Sequence, residues 1–155
     1  MSPVSALNKV LDAEHAAVYA YGVVGARTAA SQRAAATAGF NAHRARRDQL
    51  RGLITTRSGT PSEAAPGYTL PFPIVTSTDA ARLAAYIEDR VTSAYLELTS
   101  TEDPDLRRLA AHAMQECTIR AYTWRPTIAA LPGWPATPTP SSARPSTSPP
   151  VSLNQ

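Results

Sequence analysis

Apolar residues return along this chain at the spacing of a helix face, in four separate stretches. In the first, Leu7, Val10, Ala17, Tyr21 and Val24 fall on one side of a 3.6-residue turn. Ser2 is placed to cap this helix and Pro3 suits its first position, and the pattern fades near Ala30. A second helix is expected over about 32–56, with Phe40, Leu50 and Ile54 on one face. A third is expected from Asp79 to about Ser100, capped by Ser77 or Thr78 and carrying Leu83, Ile87, Val91, Ala94 and Leu98. The fourth has the clearest start: in TEDPDL, Asp103 caps, Pro104 takes the first position and Asp105 meets the positive end of the helix. It carries Leu106, Leu109, Ala113 and Ile119, and Pro126 ends or kinks it.

The links between these elements set the topology. Helices one and two, and three and four, are joined by short links that favour antiparallel hairpins. Between helices two and three lies SGTPSEAAPGYTLPFPIVTST, whose four prolines and two glycines forbid a helix. A bundle of about 36 Å needs only ~11 extended residues to cross. The connector, Thr55 to Ser77, is therefore long enough to run the full length. Its apolar YTLPFPIV also favours a crossover over a loop left in water. The expected fold is an all-α four-helix bundle over residues 1–131 with one long crossover. After Pro132 the chain is proline, serine and threonine without periodicity, so residues 132–155 are expected to be a disordered tail that acts as a spacer, or as a proline-rich ligand for a partner's aromatic groove.

Polar residues interrupt the apolar stripes in the middle of the helices. Glu14 sits between Val10 and Ala17; His43 and Arg47 sit between Phe40 and Leu50; Glu88 lies in the series Ala84, Val91, Tyr95, Leu98; Glu116 and Arg120 continue Leu109 and Ala113. Measured from a turn near Ala30, Glu14 and His43 are 16 and 13 residues away. Measured from a turn at 101–104, Glu88 and Glu116 are each about 14 away. At ~1.5 Å per residue all four lie about 20–24 Å from a bundle end. The expected arrangement is one buried layer of Glu14, His43, Glu88 and Glu116. Unpaired carboxylates there cost several kcal/mol each or take up protons. A metal ion satisfies them, and so do Arg47 and Arg120 one turn further on.

The phrases AEHAAVYAYG, AHRARRDQL, YTLPFPI, AAYIEDRVTSAYLEL and DLRRLAAHAMQE, in this order and spacing, resemble the ferritin-like four-helix superfamily. More narrowly, they resemble a small actinobacterial ferritin-like domain of unknown function, over roughly Val4 to Leu131. The resemblance implies a Glu on helix one, Glu-x-x-His on helix two, a Glu on helix three and Glu-x-x-His on helix four as metal ligands. Glu14, His43, Glu88 and Glu116 match, but Phe40 and Ile119 stand where the second Glu and the second His belong. The implied di-iron site is thus degenerate. The reading is a structural or interaction protein without cofactor, its core ion-paired through Arg47 and Arg120. The alternative is a single iron or manganese ion in an oxidoreductase or iron-handling protein. Ferritin-like domains often pair through helices one and two. The small residues around Gly22 and Gly25 in AAVYAYGVVGARTAA point to a homodimer.

Composition narrows the classes further. The chain has 155 residues, 43% hydrophobic and 17% charged, as in an ordinary one-domain globular protein. A net charge of +3, with the arginines of HRARRDQLR spread around a helix and Asp48 among them, gives no clustered nucleic-acid footprint. One lysine against fourteen arginines reads as a GC-rich genome. Cys117 stands alone, which excludes an internal disulfide and fits a reducing compartment. With no apolar signal-like leader and no run of eighteen apolar residues, the expectation is a cytoplasmic protein that does not span a membrane. His15, His112 and Cys117 are read as seam, surface and filler residues, and Tyr21, Tyr86, Tyr95 and Tyr122 as core phenols available to the carboxylates.

Overall fold

A computed structural model describes residues 2–134, and the part of the tail expectation that concerns residues 135–155 lies outside them. The described residues form four α-helices and no strand: α1 Pro3–Arg27, α2 Arg33–Thr56, α3 Ser77–Leu98 and α4 Pro104–Trp124. A 3₁₀ turn, Ala30–Gln32, leads into α2. Local chemistry sets the helix starts. The Ser2 hydroxyl accepts from the Ser5 amide ahead of Pro3, and the Asp103 carboxylate accepts from the Asp105 and Leu106 amides ahead of Pro104. α3 begins two residues earlier than its periodicity indicates. Thr76 is the cap there, and Thr76 and Asp79 bond reciprocally in a capping box.

Cross-helix pairs give the directions. Glu14 meets His43 while Tyr21 packs on Gly39, so α1 and α2 are antiparallel. Glu14 meets Tyr95 while Tyr21 meets Glu88, so α1 and α3 are antiparallel too. Arg120 reaches Glu88, and Arg57 at the end of α2 pairs with Asp103 at the start of α4. The core runs between the helices through Leu7, Leu11, Leu50, Ile54, Leu83, Val91, Leu98 and Leu106.

The segment between α2 and α3 lies along α1. The Asn8 amide donates to Thr60 O and accepts from Ser62 N, Ser62 O sits 3.1 Å from His15 Nε2, and the Tyr68 ring packs 5.5 Å from that of Tyr19. Phe72 then reaches α3, under the Arg82 guanidinium and against Tyr86. His15, buried on α1, thus lies against the connector. After α4 the chain turns back across α3, where the Ser93 hydroxyl donates to Gly133 O. No helix among the described residues is long and apolar enough to cross a membrane.

Candidate functional site

α1, α2 and α3 each contribute one polar side chain to the middle of the core. Glu14 and His43 are 1% exposed and Glu88 is 0%. His43 lies between the carboxylates: Nδ1 is 2.7 Å from Glu14 Oε2, and Nε2 is 3.2 Å from Glu88 Oε1. Each carboxylate also takes a phenol. Tyr95 donates to Glu14 Oε1 at 2.7 Å and Tyr21 to Glu88 Oε1 at 2.6 Å, while the Trp124 indole donates to the Tyr21 oxygen at 3.1 Å. Arg120 of α4 donates through Nε to Glu88 Oε1 at 2.9 Å and reaches Cys117 Sγ through Nη2 at 3.2 Å.

Burial by itself pushes an imidazole toward neutrality. Here the hydrogen bonds to Glu14 and Glu88, and their charges, outweigh it and raise the His43 pKa from 6.5 to about 9. His43 is then an imidazolium at neutral pH and donates from both ring nitrogens. Glu88 shows the converse. Burial would raise its pKa, but the His43 bond and the charges of His43 and Arg120 bring it below 4.5. Two anions therefore face two cations. Burial first, and the adjacent carboxylates second, keep the Tyr21 and Tyr95 phenols and the Cys117 thiol protonated. A protonated thiol is not a nucleophile.

Tyr86 and Tyr122, expected in the core, are 39% and 50% exposed, and among the candidate site residues placement differs from expectation at two. Glu116 is outside the layer: its side chain is half exposed and pairs with Arg46 at 2.6 Å. The buried face of α4 runs Leu106, Ala110, Ala113, Cys117, Ala121, Trp124, which puts Glu116 about 100° from its centre. Arg47 is three-quarters buried but pairs with its neighbour Asp48 at 2.8 Å, so Arg120, itself 23% exposed, is the arginine that reaches the layer. Cys117 occupies the inward position on α4. A stripe of alanines gives no signal that favours 110 over 109, and Trp124 is the residue that would have fixed the face. Gly39 is the other position the periodicity missed. It takes the inward place beside Phe40, and a Cβ there would run into the Tyr21 ring.

These donors do not fit a di-iron pair. Both His43 nitrogens are committed to carboxylates, Phe40 and Ile119 cannot ligate, and Ile119 is 60% exposed. Among the described residues no group of three or more His, Cys, Asp or Glu is arranged to hold a metal ion. One atom of the site is left over: Glu88 Oε2 is buried without a hydrogen-bond partner, and α4 brings the Cys117 thiol beside that carboxylate as well as Arg120.

The family described as a domain of unknown function, DUF4439, matches residues 6–136. The crystal structure of a conserved hypothetical protein from Mycobacterium tuberculosis is similar, with a TM-score of 0.77 and 32% identity over 80% of this chain and 95% of that one. No curated protein matches the sequence.

Proposed function

The chain belongs to the family of domains of unknown function designated DUF4439, and we propose that it is a ferritin-like, one-crossover four-helix bundle that serves as a structural or interaction protein. In this reading a charge-balanced lock of Glu14, His43, Glu88 and Arg120 occupies the layer where ferritin-like enzymes hold metal. The ferritin-like assignment draws support from the sequence phrases and from α1 lying antiparallel to both α2 and α3, with a connector stretched along α1 between them. The observation that carries the non-catalytic reading is His43. Each of its nitrogens faces a carboxylate, and His43, Glu14 and Glu88 are each at most 1% exposed, which leaves no ring lone pair free for a metal. A homodimer through the outward face of α1 belongs to the same proposal. Beyond the backbone of α1 itself and the chain neighbours, nothing lies within 4 Å of where a Cβ would stand on Gly22 or Gly25, so a partner helix has room to approach.

A single iron or manganese ion is the alternative, and the unpartnered Glu88 Oε2 is the observation in its favour. Melting the purified protein after exhaustive chelation, and again with iron, manganese or zinc, separates the two. The ion-paired core melts at the same temperature throughout. A stoichiometric metal that raises the melting temperature, with that increment lost in Glu14→Gln and His43→Ala, overturns it.

A further inference from the structure

On the outer side of α1 and α3, away from the ion-paired core, a groove of about 990 Å³ runs between the two helices. Alanines form its floor on both sides, including Ala13, Ala16 and Ala94. Its walls are aromatic: Tyr19 is 40% exposed, Tyr86 39% and Trp134 65%, and Tyr68 stands beside Tyr19. The Lys9–Glu97 ion pair, 3.2 Å, joins the two helices along it. Exposed aromatic rings over a small-residue floor match the grooves that receive proline-rich segments in the polyproline II conformation. Such a segment is already extended and loses little entropy on binding.

The chain delivers such a segment to this place. Gly133 has a φ of +83°, and a Cβ there would meet Thr92, so the turn across α3 needs glycine. That turn puts Trp134 in the groove wall, and the sequence continues PATPTP from 135 to 140. Pro135 and Pro138 are three apart, the repeat of a polyproline II helix, so in that conformation they would share a face. Six such residues span about 19 Å. α1 rises about 17 Å between Lys9 and Ala20, its outermost residues in the groove. We propose that the groove between α1 and α3 is a polyproline II receptor and that residues 135–140 of the same chain are its occupant. The short tether holds the segment at roughly millimolar effective concentration, so even a weak groove is filled. A proline-rich segment of another protein then binds only by displacing it. The inference does not depend on whether the core is ion-paired.

NMR on the isotope-labelled full chain tests this. Nuclear Overhauser contacts between the ring protons of Tyr19 or Tyr86 and the side chains of Pro135 or Pro138 are expected, together with backbone relaxation at 135–140 like that of the helices. Gly133→Ala, and separately the combined change of Pro135, Pro138 and Pro140 to Ser, should abolish those contacts while leaving the His43 and Tyr95 resonances in place. Free-chain relaxation at 135–140 with no contact to either tyrosine overturns the proposal. So do contacts that appear only between differently labelled copies, which would make the occupant a second molecule.

Discussion

His43 is held in two directions at once, and the balance decides its charge. Its pKa is raised on folding from 6.5 to about 9, because the bonds to Glu14 and Glu88 outweigh burial. A raised pKa stabilises the fold fully below 6.5, and that stabilisation is lost as pH rises through about 9. The size of the change corresponds to about 3 kcal/mol. Glu88 works with the opposite sign: its lowered pKa stabilises the fold above 4.5, and the effect is lost as pH falls through the lower folded value. Urea denaturation at a series of pH values should therefore show a stability plateau near pH 5–6.5 and a decline toward pH 9, and His43→Gln should flatten the alkaline decline. Glu14→Gln keeps the shape of the side chain but removes one anion beside a buried cation, and should cost roughly 3–5 kcal/mol with or without metal. Glu14, His43, Glu88 and Arg120 were legible in the sequence because a charge at the centre of an apolar stripe has few places to go. Glu116 was misplaced because the face of α4 is built from alanines, which mark a helix but not its orientation.

At the scale of elements, two contacts fix how the helices and the connector meet α1. Gly39 lets α2 approach closely enough for the Tyr21 ring to lie over its backbone while the phenol reaches Glu88. Alanine is favoured over glycine in a helix by about 1 kcal/mol. Overpacking against a buried ring costs about 1–3 kcal/mol, and moving Tyr21 also loosens its bonds with Glu88 and Trp124. Gly39→Ala should thus lower the melting temperature; an increase would mean that the Tyr21 ring is free to move aside. Asn8 pins the connector with two hydrogen bonds to Thr60 and Ser62. Asn8→Ala should cost ~1–2 kcal/mol and speed amide exchange at Ser62 without changing exchange in α3. Helix starts were readable to within two residues, because Pro3, Asp103 and Pro104 carry their own capping chemistry. The connector's path was not readable in detail. Asn8 and His15 hold it through backbone oxygens and an amide, and such bonds leave no apolar periodicity behind.

Taken as a whole molecule, the chain has a buried polar core, a helix face with open space above Gly22 and Gly25, and an aromatic groove on α1 and α3. The proposed homodimer predicts twice the chain mass, 16.5 kDa, by light scattering at micromolar concentration, and replacement of Gly22 by Arg should return it to a monomer. A wild-type monomer at that concentration contradicts it. Whether the bundle is held by ion pairs or by a metal is decided most directly at His43. In ¹⁵N-labelled, metal-chelated protein at pH 7.5, both ring nitrogens should resonate as imidazolium, and the ring should titrate near pH 9. A neutral ring at pH 7.5, with one nitrogen unprotonated and shifted on adding iron or manganese, would contradict an ion-paired core.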